Sequence, residues 1–171
     1  MEESVKSSPH LPLGVRLNNP LNIRKSKSKW MGAVYDNKYN FVKFEKPFFG
    51  WRAAVIIMAI TYYNRGWNTP AKIISNWAPY TENDTGNYIA FVCKYAGVKP
   101  NKALPPLPLA VETWTRFLIG MAKMEIGYRY VTETLIADLI SAIYNVVQSR
   151  FPDYAKEKEN QQKRNKWNDL P

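Results

Sequence analysis

Two apolar helical patterns are separated by Trp77-Ala-Pro-Tyr-Thr-Glu-Asn-Asp-Thr-Gly-Asn-Tyr-Ile89, which holds the densest group of hydrogen-bonding side chains in the sequence. Pro79 is expected to end the first helix, because proline lacks an amide hydrogen and its ring clashes with the preceding helical turn. Thr81 or Asp84 can begin the second helix, because either side chain can accept hydrogen bonds from the free amide groups at a helix N-terminus. The stretch therefore predicts a polar turn between two helices.

The acidic and aromatic residues of this turn admit two interpretations. In the simpler one, Thr81 and Asp84 form an ordinary capping box, and Glu82 lies just before the helix, where the backbone dipole favours a carboxylate. In the other, the turn borders a sugar-binding cleft, because pyranose rings stack on aromatic faces while amides hold their hydroxyl groups. The second interpretation is favoured by the aromatic residues near Glu82, which are Trp77, Tyr80 and Tyr88.

The composition indicates a globular protein. The 171 residues are enough for one domain with a buried core, and 46% of them are hydrophobic and 14% aromatic. The longest apolar run, residues 53–60, is much shorter than the roughly 20 residues of a membrane-spanning helix. The sequence begins Met-Glu-Glu-Ser, which is acidic and polar and unlike a secretory signal peptide. We therefore expect a protein made in a host cytoplasm, with any export by another route.

Cysteine and histidine are so scarce that several kinds of catalytic site are excluded. Cys93 is the only cysteine, so an internal disulfide or a cysteine-based metal cluster cannot form, and its apolar helical setting predicts a core residue. His10 is the only histidine and lies in a proline-flanked segment, which argues against a Ser-His-Asp triad or a zinc hydrolase. No metal or other cofactor is expected, and acid–base chemistry would use carboxylates, tyrosines or lysines.

The formal net charge is +10, and the excess of basic residues is largest in residues 1–49, which carry nine bases and four acids. Such a balance suits an anionic polymer, whether nucleic acid, a bacterial cell-wall surface or an acidic membrane. The basic residues are not gathered on one predicted helix, and no known nucleic-acid-binding motif is present. A nucleic-acid partner is therefore unfavoured, although the charge does not exclude it.

The predicted secondary structure is a β-hairpin followed by helices. Strand-forming residues over 30–45 flank a turn at Asp36-Asn37-Lys38, and the helix at 51–63 is apolar nearly all round, so we expect it to be the buried central helix. Further helical patterns cover residues 71–77, 85–96, 109–124 and 132–148. This order predicts a mostly helical α+β fold with a small hairpin lobe and about five helices, as in lysozyme-type modules.

The domain is expected to cover residues 16–150, between a flexible N-terminal arm (residues 1–15) and a charged C-terminal tail (residues 151–171). The domain begins with three asparagines and a proline in quick succession, which are Asn18, Asn19, Pro20 and Asn22. Asparagine side chains bond readily to nearby backbone groups, so this segment predicts a tight loop.

Most carboxylates outside the termini have a structural explanation as turn residues, helix caps or exposed helix residues, which leaves Glu82 and Glu125. An apolar helix runs directly into Glu125, and Gly127 ends that helix. A carboxylate at a helix C-terminus among apolar side chains meets an unfavourable dipole and poor hydration. Both raise its pKa, as a general acid at neutral pH requires. The alternative is a half-exposed glutamate paired with Lys123 or Arg129.

Seven short motifs occur in order along residues 16–130. They are Arg16-Leu-Asn-Asn-Pro-Leu-Asn-Ile-Arg24, Trp30-x-Gly32, Phe41-x-x-Phe44, Gly50-x-Arg-Ala53, Trp77-Ala-Pro79, Glu82-Asn-Asp-Thr85 and Tyr88-Ile89. In order and spacing they resemble a family of phage virion structural proteins with lysozyme-like, peptidoglycan-degrading character. The resemblance implies a protein that is carried in the virion, contacts other virion proteins and acts on the glycan strands of the bacterial cell wall.

A second similarity concerns the position of the catalytic acid. Asn18-Asn19 through Ile23-Arg24, followed by Trp30-x-Gly32, is similar to the Asn-Asn-x-Phe-Gly-Ile-Lys segment of glucosaminidase-type cell-wall hydrolases. In those enzymes the catalytic glutamate ends a helix upstream, in a Glu-Ser-Gly setting. Here only Glu125-Ile-Gly127, far downstream, resembles that setting. Glu125 can fill the role only if the order of the elements is permuted.

These resemblances imply cleavage of a β-1,4 glycosidic bond in peptidoglycan, with Glu125 as the preferred acid and Glu82 as the next candidate. If both face one cleft, a carboxyl separation of about 5–5.5 Å indicates retention of configuration and about 6.5–9.5 Å inversion. If only one lies there, a lytic transglycosylase route is favoured, with the sugar's own hydroxyl as nucleophile. The residues predicted to hold the glycan are Asn22, Trp77, Asn83 and Tyr88.

A protein that keeps the cleft without the activity is the main alternative. Such a virion structural or cell-wall-binding module predicts that Glu125 is satisfied by a salt bridge and that neither glutamate is removed from water.

Overall fold

Most of the chain that the computed structural model describes, residues 10–168, lies in α-helices. The helices are α1 (Leu13–Arg16), α2 (Pro47–Ile56), α3 (Pro70–Trp77), α4 (Thr85–Ala96), α5 (Val111–Ile126), α6 (Glu133–Arg150) and α7 (Pro152–Asn168). Strands β1 (Ala33–Val34) and β2 (Lys43–Phe44) form a small antiparallel sheet, and short 3₁₀ turns lie at Leu107–Leu109 and Tyr128–Tyr130. The predicted mostly helical α+β class is confirmed, with more helices in residues 10–168 than the five expected.

The predicted hairpin is present, but its strands are much shorter than expected. Ala33 pairs with Phe44 and Val34 pairs with Lys43. The backbone groups just before β2 form hydrogen bonds with residues 23–25. Lys25 N–H donates to Asn40 O at 2.8 Å, and Val42 N–H donates to Ile23 O at 2.9 Å. The segment that follows the asparagine-rich loop therefore takes the place of the first strand.

Helix α2 is the central buried helix, as its apolar pattern predicts. It begins at Pro47, four residues before the predicted start at residue 51, with proline at a first-turn position where the missing amide hydrogen costs nothing. Trp51, Ala54 and Val55 are fully buried, and α2 packs along α6. The Trp51 indole N–H donates to Leu135 O at 3.0 Å, so even the polar atom of this buried ring is satisfied.

A π-helical segment, Ile57–Tyr62, continues α2 and was not predicted. Tyr63 N–H donates to Met58 O, five residues back, which is the hydrogen bond that defines this wider helix. A bond between residues five apart brings Ile57 and Tyr62 onto the same side of the helix. Gly66 then reverses the chain with a φ of 81°, a conformation that favours glycine.

Polar side chains cap the N-termini of α3, α4 and α6. Thr69, Asp84 and Thr132 each accept a hydrogen bond from a backbone amide three residues ahead, at 3.2, 3.3 and 3.2 Å. Gly97 ends α4 with a φ of 68°, as a C-terminal glycine does. Of the two residues proposed to begin α4, Asp84 is the cap and Thr81 is not.

Helices are present near both ends of the described chain. Helix α1 begins at Leu13, inside the segment expected to be an arm, and residues 1–9 of that arm lie outside the described residues. Helix α7 covers most of the charged C-terminal segment, of which residues 169–171 are not described. Within residues 10–168, no helix combines the length and apolar character needed to cross a bilayer.

Gly14 allows α1 to pack tightly onto the asparagine-rich loop and the end of α5. A Cβ atom at this position would lie 2.6 Å from Asn22 Oδ1, 2.7 Å from Asn19 O and 2.8 Å from Ile126 Cγ2. All three distances are shorter than real carbon contacts allow. Any larger residue at position 14 must therefore displace the loop or the helix end.

We predict that Gly14→Ala lowers the free energy of unfolding by about 1–3 kcal/mol, because the added methyl group overpacks this junction. Gly86→Ala is the matched control, since nothing lies within 4 Å of its Cβ position in α4. That change should raise the free energy of unfolding by about 0.5–1 kcal/mol, the usual gain for alanine over glycine in a helix. Urea denaturation of both variants measures the difference, and equal effects would contradict the tight packing at Gly14.

Candidate functional site

A groove of about 410 Å³ opens between the asparagine-rich loop, the hairpin, the π-helical segment and the turn after α3. Its lining includes three of the four predicted glycan-binding residues and the preferred acid, which are Asn22, Trp77, Asn83 and Glu125. The remaining lining residues are Leu21, Ile23, Arg24, Phe41, Ile57, Tyr62, Asn76 and Ala78. The folded chain thus gathers residues that are up to 104 positions apart in the sequence.

The asparagine-rich loop forms one wall of the groove, and its side chains bond to the backbone as predicted. Asn19 is fully buried: its amide donates to Ile23 O at 2.9 Å and to Val42 O at 2.8 Å, and its Oδ1 accepts from Ile23 N–H at 2.8 Å. Asn18 and Asn22 both have a φ of 53°, in the left-handed region that asparagine tolerates better than most residues. This backbone turns the Asn22 side chain toward α5.

Glu125 lies in the last turn of α5, and neutral groups hold both oxygens of its carboxyl. Asn22 Nδ2 donates to Oε2 at 2.9 Å, and the Tyr88 hydroxyl donates to Oε1 at 3.0 Å. Gly127 follows the helix with a φ of 89°, so the chain turns away directly after the carboxyl. Both oxygens are therefore fixed in position at the edge of the groove.

Burial raises the pKa of Glu125 above its ordinary value. The hydrogen bonds from Asn22 and Tyr88, the Trp77 indole and the positive charge of Arg24 oppose the rise, but they do not cancel it. Removal of the carboxylate from water costs more free energy than the hydrogen bonds from neutral donors restore. The protonated form is therefore favoured more than in a carboxyl group exposed to water. This is the direction predicted for Glu125 from its position at the end of an apolar helix.

The alternative of an ordinary ion pair at Glu125 does not agree with the structure. Lys123 lies over the Tyr95 ring, 5.3 Å from its centroid, and Arg129 lies over the Tyr130 ring at 6.0 Å. Within residues 10–168, the salt bridges join Arg24 to Glu82 and Arg116 to Glu112, and neither involves Glu125. The carboxyl is thus partly buried without a cation partner in the described chain.

Tyr88 has a different position from the one expected of a glycan-binding residue. Its exposed fraction is 5%, and its ring lies within the core behind Glu125. Burial is the main cause that raises the pKa of Tyr88 well above its ordinary value, and the neighbouring Glu125 carboxylate adds to it. The hydroxyl therefore remains a hydrogen-bond donor to Glu125, and we reassign Tyr88 from sugar contact to positioning of the acid.

Glu82, the second candidate acid, lies at the rim. Its carboxylate pairs with Arg24 at 2.7 Å, and the two side chains are 53% and 67% exposed. Arg24 lines the groove, whereas Glu82 stays in solvent on the loop before α4. Such an exposed ion pair contributes little stability. Glu82 therefore lacks the removal from water that marks Glu125.

The groove lining includes three partly buried aromatic residues, which are Phe41, Tyr62 and Trp77. Trp77 was predicted, and its indole N–H donates to Leu21 O at 3.1 Å, which leaves the ring as the groove surface. Tyr62 was not predicted, because it is placed there by the π-helical segment. Its position at the end of an otherwise apolar helix was the signal in the sequence that could have identified it. Burial raises the pKa of Tyr62, so its phenol stays protonated.

The groove is suited to proton transfer to a bound polyol. It offers a carboxyl with a raised pKa, three amide side chains (Asn22, Asn76 and Asn83) for hydroxyl groups, and aromatic rings for apolar sugar planes. Among the described residues, no three histidine, cysteine, aspartate or glutamate side chains lie close enough together to hold a metal ion.

Comparison with known proteins gives a phage relative. The chain is 36% identical over 118 residues to "Protein P5" of Pseudoalteromonas phage PM2, and the match covers 67% of this chain and 71% of that protein. No protein-family model matches the chain.

We predict that Glu125→Gln raises the melting temperature relative to wild type at pH values where the wild-type carboxyl is ionised. A carboxyl whose folded pKa is raised contributes stability that is full below its unfolded pKa and is lost as the pH rises through the folded pKa. Glutamine carries no charge and suffers no such loss. The stability advantage of the variant over wild type should therefore be larger at pH 8 than at pH 4.

Glu112→Gln is the matched control, because Glu112 lies on the same helix, is 85% exposed and pairs with Arg116 at 2.8 Å. Thermal denaturation from pH 4 to pH 8 checks both variants, and the control should change little across this range. If the Glu125→Gln protein becomes less stable than wild type as the pH rises, the folded wild-type protein accommodates the ionised carboxylate well, which would contradict the prediction.

Proposed function

The chain belongs to the family of protein P5 of Pseudoalteromonas phage PM2, and on that basis, together with the groove around Glu125, we propose that it is a phage virion enzyme that cleaves peptidoglycan strands. The bond cut is a β-1,4 glycosidic bond, and the proton donor is Glu125. The observation that carries the proposal is a partly buried carboxyl in a groove, held by neutral donors, whose pKa is raised by burial.

The absence of a cation partner supports an enzyme over a binding module. A module that merely binds the cell wall has no use for a carboxyl that is removed from water, since an exposed or paired acid costs less free energy. In the described chain, Glu125 has no salt bridge, and Asn22 and Tyr88 hold it in place. The net charge of +10 favours approach to an anionic cell surface.

The route supported best is that of a lytic transglycosylase. Within the part of the chain that the structure describes, Glu125 is the carboxylate that lines the groove, and Glu82 is held at the rim by Arg24. A hydrolase with two catalytic carboxylates needs a second acid that faces the scissile bond. A single acid is sufficient when the nucleophile is a hydroxyl group of the substrate itself.

In this mechanism, Glu125 first donates its proton to the glycosidic oxygen, and the bond from that oxygen to the anomeric carbon breaks. The ionised Glu125 then accepts the proton of the sugar's C6 hydroxyl, whose oxygen bonds to the anomeric carbon. The products are a free hydroxyl end and a 1,6-anhydro sugar, and Glu125 is protonated again. Asn22 orients the carboxyl throughout, and Trp77 and Asn83 are proposed to hold the glycan.

We predict that Glu125→Gln abolishes clearing of purified peptidoglycan, with a loss of roughly 10²–10⁴-fold, because glutamine cannot donate the proton. Glu82→Gln should retain activity within a few-fold, since its carboxylate is exposed and paired with Arg24. Glu112→Gln on the outer face of α5 is the matched control. A turbidity assay compares the three variants with wild type, and equal clearing by all four proteins would remove Glu125 as the acid.

Mass analysis of the released fragments tests the route separately. We expect disaccharide-containing products that are lighter than the hydrolysis products by about the mass of one water molecule, because the anhydro sugar forms without addition of water. If the fragments have the hydrolysis mass and are released only when Glu125 is intact, Glu125 remains the acid. The nucleophile is then water and not a hydroxyl group of the sugar.

A further inference from the structure

The aromatic lining of the groove continues beyond it onto the surface next to the π-helical segment. The Tyr62 ring contacts two tryptophans edge-to-face: Trp77, at 6.3 Å between ring centroids, and Trp67, at 5.0 Å. Trp77 and Tyr62 line the groove, whereas Trp67 does not, so the three rings lead out of it. All three side chains are partly exposed, which leaves part of each ring open to solvent.

The turn after the π-helical segment holds Trp67 against Tyr62. Gly66 has a φ of 81°, and Trp67 N–H donates to Tyr62 O at 3.0 Å, so the chain folds back on itself. The Arg65 guanidinium lies over the Trp67 ring at 5.4 Å from its centroid. The indole is thus fixed by a backbone hydrogen bond, a ring contact and a cation contact, although it is not part of the buried core.

The π-helical segment also has a role in this arrangement. Its wider turn places Ile57 and Tyr62 together in the groove, whereas an α-helix would put residues five apart on different sides. Interruptions of this kind are frequent at functional sites. Without the π-helical segment, Tyr62 would not connect Trp77 to Trp67.

We propose that Tyr62 and Trp67 form an additional sugar-binding subsite that extends the groove, so that the protein prefers glycan strands longer than a disaccharide. This inference rests on the proposed function. A strand that enters beside Trp77 continues across Tyr62 to Trp67, and its apolar pyranose faces stack on the rings. Edge-to-face packing holds the rings at an angle to one another, which suits successive sugars that are rotated along a β-1,4 chain.

The test is calorimetric binding of chitobiose and chitohexaose, in the full chain that carries Glu125→Gln to prevent turnover. Trp67→Ala should weaken chitohexaose binding about tenfold and leave chitobiose binding unchanged, because only the longer oligomer reaches Trp67. Tyr62→Phe should retain both affinities, since the ring is preserved. Tyr144→Ala, which removes an exposed tyrosine from α6, is the control for loss of an aromatic surface elsewhere.

The outcomes separate this inference from the proposed function. If Trp67→Ala weakens both oligomers equally, or neither, the subsite is overturned, and Glu125-dependent clearing of peptidoglycan still stands. If the parent protein binds neither oligomer and wild type clears no peptidoglycan, the subsite and the proposed function fall together. Circular dichroism of Trp67→Ala, which removes a partly exposed ring, checks that the fold is kept.

Discussion

The two hydrogen bonds at the Glu125 carboxyl join the three parts of the chain that make the site. Asn22 comes from the loop before the hairpin, Tyr88 from α4, and Glu125 itself from the end of α5. Asn22 can reach the carboxyl only because its backbone is left-handed and because Gly14 lets α1 approach closely. The position of the acid therefore depends on the packing of the loop, and the loop depends on the fully buried Asn19, whose three hydrogen bonds fix its backbone.

Burial of the ionised Glu125 carboxyl costs free energy that its hydrogen bonds do not fully restore. An ionised carboxyl in this position loses water, and two neutral donors replace only part of that hydration. A salt bridge would offset the cost more fully and would also lower the pKa, which would make the carboxyl a poorer acid. The cations of the neighbourhood are placed elsewhere: Arg24 is paired with Glu82 at the rim, and Lys123 lies over Tyr95. Under the proposed function, this arrangement gives up stability in favour of a carboxyl with a raised pKa, as is common at catalytic sites.

Local chemistry made much of the fold predictable. The caps at Thr69, Asp84 and Thr132 and the buried course of α2 follow from side-chain types and apolar periodicity, which act over a few residues. Glu125 could be singled out because its own helix supplies the apolar setting. The short strands, by contrast, reflect competition from residues 23–25 for the backbone groups before β2. The π-helical segment and the burial of Tyr88 likewise depend on tertiary packing, which no local pattern reports.

The order of residues along the chain matters less here than their meeting in space. The similarity to glucosaminidase-type hydrolases required a glutamate at a helix end next to the Asn-Asn segment, yet Glu125 follows Asn22 by 103 residues. In the structure, the end of α5 lies against that segment, and Asn22 Nδ2 is 2.9 Å from Glu125 Oε2. An acid supplied from downstream can thus occupy the place of one supplied from upstream, because proton transfer depends on distance and surroundings and not on connectivity. That contact is the physical reason to propose Glu125, and not Glu82, as the acid.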